Sequence, residues 1–302
     1  MNRRRRAAEI LRTDGLGALG ARSVAHAARV IDRKGVGPLA FEQLLRAVSA
    51  VPGGDEVVFR QSERAVRRRM ATESSLEDVI DTVIDIRPGY GSYEIGAAQL
   101  REELRGLARL VAAHDPETVL EIGTNDGGTF YTWCRAVESA EQIVSLDLPG
   151  GEFGGGYDER TCDLFRTFTD DADLSFLRRD SHDPATLAAT RDELNNPVDF
   201  LFIDGDHTYE GVKQDFEMYS DLVADGGIVA FHDIVETLDD PAAVERRRER
   251  VPDAEDRHFV WGEGHPDCNV HQFWEELSAD YETETFVSHP EQTWGGIGVV
   301  FL

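Results

Sequence analysis

At 302 residues the chain has room for one large α/β domain with an appendage, and not for several independent enzymes. Its 58 Asp and Glu outweigh 31 Lys and Arg, giving a net charge of -27, and only Lys34 and Lys213 of those cations are lysines. An acidic, lysine-poor chain of ordinary hydrophobic content is expected to stay soluble at high salt, where screening weakens self-repulsion; no apolar run reaches the roughly 18 to 20 residues of a membrane span.

Residues 1–72 run against this balance, with 15 Lys and Arg against 7 Asp and Glu, a net of +8. Gly15, Gly17, Gly20, Gly35 and Gly37 break the stretch into short helices, so it reads as a basic helical arm. Docking on the chain's own acidic body is the economical role for it, and peripheral contact with an anionic membrane is the alternative. Nucleic acid is not expected as a partner, and self-association into a homo-oligomer is left open. The basic start lacks the apolar core of a signal peptide, and Cys134, Cys162 and Cys268 are odd in number and widely spaced. A reducing, cytoplasmic location is expected.

Residues 73–117 form a helical lead-in. Ser75 is a candidate N-cap for a helix with Leu76, Val79, Ile80, Val83 and Ile84 on one face, ending at Pro88-Gly89. Leu100, Leu104, Leu107 and Val111 repeat the helical spacing. From Thr118 to the last residue the pattern becomes β-rich runs at 119–123, 143–147, 174–178, 198–204, 227–232, 282–288 and 297–302, separated by helical stretches. The clearest stretch puts Val212, Phe216, Tyr219 and Val223 on one stripe. The last two runs are joined too briefly for a helical crossover, which predicts an antiparallel pair.

Ligands of open α/β sheets sit at the carboxyl ends of the strands. The first run, VLEIGTNDGGT, turns through Gly123, Gly127 and Gly128, positions where a missing Cβ lets backbone approach a ligand. Its spacing is not GxGxxG, and Asp126 in the loop disfavours a pyrophosphate, whereas a zwitterionic sulfonium tolerates acidic neighbours. Asp147 ends the second run, where a carboxylate accepts both hydroxyls of a ribose, and Asp180 and Ser181 follow the third, where a side chain reads an adenine edge. The fourth run, VDFLFIDGDHTYEG, delivers Asp204, Asp206 and His207; the fifth, GGIVAFHDI, delivers His232 and Asp233. If these runs are neighbours, Asp204 and Asp233 converge on a divalent cation such as magnesium, with His232 as a third ligand that shifts the preference toward manganese or zinc.

Together these segments, with VSLDLPGG and VHQFWEEL, resemble the class I S-adenosylmethionine-dependent methyltransferases over roughly residues 90–302. The particular likeness is to the metal-dependent sugar O-methyltransferases and cephalosporin-hydroxylase-like proteins. The resemblance implies a Rossmann-like α/β fold: a seven-stranded, mostly parallel sheet with helices on both faces and the last strand antiparallel, here carrying an N-terminal helical extension. It implies S-adenosylmethionine as cofactor, contacted by Glu121, Gly123, Asn125, Gly127, Thr129, Asp147, Asp180 and Ser181. It further implies a metal, Mg2+ or another divalent cation, on Asp204 and Asp233, with His207 as catalytic base toward a small-molecule or glycan hydroxyl. His232 stands where those enzymes carry a carboxylate. A charged stretch at 236–267, with Arg246, Arg247, Arg248, His258, Trp261 and His265, lies where an acceptor lid sits. Cys268 and His271 have metal-compatible side chains, but Val270, Phe273, Trp274 and Leu277 between and beyond them read as a packed helix face, so no second metal site is expected. The rival readings are a nicotinamide-dependent oxidoreductase and a non-catalytic binding module on the same fold.

Overall fold

The computed structural model describes residues 53–150, 156–238, 240–251, 256–260 and 268–302. Of the arm expected over residues 1–72, residues 1–52 lie outside these, as do Trp261 and His265. Contacts divide the described chain into two units: the residues up to Thr72 with Arg87–Ile95, and Glu73–Ile86 with Gly96–Leu302.

In the first unit helix α1 (Gly54–Met70) buries Val58, Ser62 and Val66 along one face. The Ser62 hydroxyl accepts the Tyr90 N–H at 3.0 Å, the Tyr93 hydroxyl donates to Asp55 at 2.9 Å, and Phe59 meets the Tyr93 ring edge-on at 5.3 Å. Acidic residues in its first turn and three arginines in its last complement the helix dipole.

In the second unit α2 (Leu76–Asp81) begins where Ser75 caps the Asp78 N–H, and it runs on into a π-helical turn, Thr82–Ile86. Helix α3 (Arg101–His114) buries Leu104, Leu107 and Val111 and stops at Asp115, which adopts a left-handed conformation. The β/α alternation follows: β1 (Thr118–Ile122), α4 (Gly128–Ala136), β2 (Gln142–Asp147), α5 (Glu159–Phe165), β3 (Asp173–Arg178), α6 (Pro184–Glu193), β4 (Val198–Ile203), α7 (Tyr209–Tyr219) and β5 (Val223–His232). After β5 come α8 (Pro241–Arg248), α9 (Val270–Leu277), β6 (Glu282–Phe286) and β7 (Ile297–Phe301). The seven strands lie in the order β3-β2-β1-β4-β5-β7-β6, with β7 antiparallel to both its neighbours and the other pairings parallel. This is the expected fold, including the single antiparallel last strand.

Side-chain alternation along the strands loads both faces. Leu120, Ile122, Leu201, Ile203, Val229 and Phe231 cluster with Val212 and Phe216 of α7 and with Phe273 and Trp274 of α9. The intervening Phe200 and Phe202 meet Trp133 of α4 edge-on at 5.0 and 5.7 Å. Each such buried large side chain contributes about 1.5–3 kcal/mol.

Two boundaries differ from the sequence expectation. Val223 is not the last rung of the α7 stripe: a 3-10 turn at Ser220–Leu222 releases the chain there, and β5 starts at Val223, with a register shift against β4 absorbing the extra residues. Strand β6 ends at Phe286 rather than at 288, because the Ser288 N–H turns to the Glu103 carboxylate at 3.1 Å. No described helix is long and apolar enough to cross a membrane.

Candidate functional site

Parallel pairing brings the carboxyl ends of β1, β2, β4 and β5 to one rim. The Asp204 N–H donates to Ile122 O at 2.8 Å and the Gly123 N–H to Leu146 O at 2.9 Å, so each strand end is tied to its neighbour. A Cβ on Gly123, at φ 92°, would lie 2.0 Å from the Asp204 carbonyl oxygen; one on Gly127 would strike the Phe165 ring at 2.4 Å, and one on Gly128 the Gly96 backbone at 2.2 Å. At all three glycines the space a Cβ would need is filled by the protein itself, a packing requirement that stands beside the ligand approach expected from the sequence.

Around this loop Thr129 donates its hydroxyl to Glu121, a residue with no exposed surface, whose other oxygen has no hydrogen-bond partner. Burial raises the Glu121 carboxyl well above its usual range, only partly opposed by the Thr129 bond. Asn125, at φ 46°, donates its N–H to Asp147 at 2.5 Å. Burial pushes Asp147 up to about 6, against the pull of backbone N–H groups at Asn125, Leu148 and Thr124. Asp180 and Ser181 follow β3, but their bonds are local or structural. Asp180 is exposed and accepts the His182 N–H at 2.9 Å, a turn-forming contact, while the Ser181 carbonyl accepts the Tyr219 hydroxyl at 2.8 Å.

The metal and base candidates do meet. Asp204 accepts from His232 Nδ1 at 3.1 Å on one oxygen and from the Gln99 amide at 2.6 Å on the other. His232 Nδ1 also lies 3.4 Å from Asp233, and Asp233 takes His207 Nδ1 at 2.7 Å and the Gly295 N–H at 3.2 Å. Asp233 holds φ 61°, a left-handed conformation costing a non-glycine residue about 1–3 kcal/mol, which the converging bonds retain. Burial alone would raise the Asp233 carboxyl, but His232 and His207 bring it well below the usual range. Burial would likewise lower His232, yet Asp233 and Asp204 push it up to about 9. For His207 too, burial is overcome, chiefly by the Asp233 bond, and the ring sits well above its ordinary basicity.

Donor atoms of Asp204, His232 and Asp233 all lie within 4.8 Å of one another, a set that fits a divalent cation, and its imidazole favours manganese or zinc over magnesium. His207, Asp233 and Asp204 keep 18, 13 and 11% of their side chains exposed, so none of the three is sealed from solvent. Asp206 is not part of the cluster; it accepts the Thr208 N–H at 2.8 Å, and Thr208 caps α7.

Two contributors, Gln99 and Glu103, had no sequence signal, and a third, Cys268, has a metal-compatible side chain masked by the helix face beside it. Gln99 orients Asp204 across 105 residues. Glu103, buried in α3, accepts from Gln292 and the Gly296 N–H, each at 2.8 Å, and so pins the loop whose Gly295 holds Asp233. Cys268 joins His207 and Asp233 in a second group of close donors. Of the charged stretch, the described parts knit to the same loop. Arg247 and Arg250 face Glu291 at 3.4 and 3.5 Å, the Trp294 indole donates to His258 O at 3.1 Å, and Phe259 stacks on His289 at 5.3 Å.

Residues 120–234 match the family profile described as a methyltransferase domain. Over 121 residues the chain is 31% identical to an uncharacterized protein of Acanthamoeba polyphaga mimivirus, the match spanning 39% of this chain and 52% of that protein. An uncharacterized protein of Sinorhizobium fredii is 29% identical over 129 residues, 41% of this chain and 14% of that one. The chain thus spans about half of the first relative's length and a small part of the second's. Among solved structures, the O-methyltransferase from Bacillus cereus in complex with SAH aligns with TM-score 0.45 and 17% identity, over 81% of this chain and 100% of that one. The O-methyltransferase TomG from Streptomyces achromogenes, in complex with SAM, aligns with TM-score 0.45 and 15% identity, over 81% and 98%. The profile match falls on β1 through the end of β5, the strands whose carboxyl ends form the rim, so it is this segment of the chain that is similar to a methyltransferase domain.

Proposed function

We propose that the chain is an S-adenosylmethionine-dependent O-methyltransferase, metal-assisted and acting on a sugar or other small hydroxylated acceptor. The observation that carries this reading is the meeting of Asp204, His207 and Asp233 at one rim inside a methyltransferase domain. Transfer to a hydroxyl needs the acceptor's proton removed, and an imidazole aligned by a carboxylate is suited to that task. Asp233 takes His207 Nδ1 and so orients the ring for that task. Asp147 would accept the cofactor's ribose hydroxyls, and the unpartnered Glu121 oxygen would satisfy a donor on the same molecule. When bound, S-adenosylmethionine supplies a methyl group on an electrophilic sulfonium. A divalent cation on Asp204, His232 and Asp233 would supply Lewis acidity and, by competing for the same carboxylates, restrain the basicity of His207. The segments 240–251 and 256–260, knitted to the loop beside Asp233, would cover the acceptor.

Calorimetric titration with S-adenosylmethionine and with NAD tests the cofactor; binding of NAD alone would overturn the reading in favour of an oxidoreductase. With the acceptor identified by its gain of a labelled methyl group, His207→Ala should retain cofactor binding and lose roughly 100- to 10,000-fold in turnover. Asp204→Ala should lose turnover together with its response to added cation. Full activity in both variants would end the proposal.

A further inference from the structure

Cys268 precedes α9, far in sequence from both strands of the rim, yet it sits against the His207–Asp233 pair. A ring nitrogen of His207, a carboxylate oxygen of Asp233 and Cys268 Sγ lie within 4.8 Å of one another, and the thiol hydrogen-bonds the His207 ring. The backbone fixes this approach: the Asn269 N–H, one residue after the cysteine, donates to the His207 carbonyl at 2.8 Å. Cys268 is 6% exposed and packs with the core under the rim, so the sulfur is held rather than waving in solvent.

Imidazole, carboxylate and thiolate make a borderline-soft donor set, the kind that takes zinc with water in the open position and discriminates against magnesium. Metal–ligand bonds of ~2.0–2.3 Å put tetrahedral donors roughly 3.3–3.8 Å apart, so side-chain rotation alone can close this trio on an ion. We propose that His207, Asp233 and Cys268 form a site for a thiophilic divalent cation, zinc first among them, separate from the Asp204–His232–Asp233 set and sharing Asp233 with it. Binding breaks the S–H bond of Cys268 and displaces the proton from the ligating His207 nitrogen, releases both protons to solvent, and leaves sulfur and nitrogen each donating an electron pair to the ion. On the reading of His207 as proton acceptor, on which this consequence rests, occupancy removes the base and one carboxylate together, so zinc inhibits where a harder cation activates.

Cobalt(II) serves as the probe, titrated into the full-length protein without any methyl donor, so that failure here stays distinguishable from failure of the methyltransferase reading, which the cofactor titration tests. Wild-type protein should develop a near-ultraviolet sulfur-to-cobalt charge-transfer band that saturates at one ion per chain and is displaced by zinc. Cys134→Ser and Cys162→Ser should keep the band, and Cys268→Ser should lose it. His207→Asn, at a more exposed position, should weaken cobalt binding roughly tenfold or more and decides the matter if the Cys268 variant does not fold. No band in the wild type, or a band that survives in Cys268→Ser or is unaffected in His207→Asn, overturns the proposal.

Discussion

Asp147 shows how a single carboxylate is tuned by its place in the chain. Ending a buried parallel strand, it loses most of its water, and the turn after β1 returns only part of the lost solvation through backbone N–H groups. Its titration near 6 leaves it ionised at pH 7.5 and largely neutral at pH 5. An ionised carboxylate accepts two hydroxyls at once, whereas a protonated one has surrendered part of that capacity. The dissociation constant for S-adenosylmethionine should therefore rise about tenfold as pH falls from 7.5 to 5, following one proton with an apparent pKa near 6 in the free protein. The Asp147→Asn variant should show weak binding at every pH in that range. Calorimetry across the series checks this, and a flat wild-type profile would remove Asp147 from the cofactor site.

At the level of elements, the strand-to-helix turn after β1 depends on Gly123 for reasons of packing. With φ at 92° and the Asp204 carbonyl 2.0 Å from any Cβ, Gly123→Ala combines backbone strain of about 1–3 kcal/mol with overpacking of about 1–3 kcal/mol. Gly226, at φ 85° with nothing within 4 Å of its Cβ position, isolates the strain alone. Gly123→Ala should thus lower unfolding free energy by about 2–6 kcal/mol and Gly226→Ala by about 1–3 kcal/mol, read from denaturant midpoints at unchanged slope. Equal losses would show that the carbonyl contact carries no weight. This turn also marks the limit of what is legible in sequence. Alternating β-rich and helical periods reveal the order of the elements, and polar residues after apolar runs reveal Asp204, His207 and Asp233, because both signals are local. Whether a glycine serves a ligand or a neighbouring strand is decided by residues some 80 positions away. The parts played by Gln99, Glu103 and Cys268 are equally non-local, and Cys268 in particular is hidden by the apolar helix face beside it. Asp180 shows the same limit from the other side: a polar residue after a strand satisfies the local pattern of a site and also closes a turn, here by accepting the His182 N–H.

Across the whole molecule the dominant physical quantity is charge, -27 on 302 residues. Two electrostatic effects of opposite sign respond to salt. Surface ion pairs such as Arg109–Glu77 at 2.6 Å and Arg67–Glu63 at 3.0 Å lose strength on screening, but exposed pairs are worth only about 0–1 kcal/mol each. The repulsion among the excess carboxylates acts over many pairs at separations comparable to the Debye length, which shrinks from ~10 Å at 0.1 M to ~3 Å at 1 M salt. Our expectation is that the summed repulsion outweighs the local pairs, so that screening stabilises the fold. We expect the melting temperature to rise steadily from 0.05 M to about 2 M in both sodium chloride and potassium chloride, with most of the gain below 1 M, where the screening length changes fastest. A matched increase in sucrose, which strengthens burial without screening charge, should not reproduce the steep early part of the curve. A melting temperature highest at low salt would mean that the acidic surface is neutralised within the fold, and that high-salt solubility is not what its composition serves.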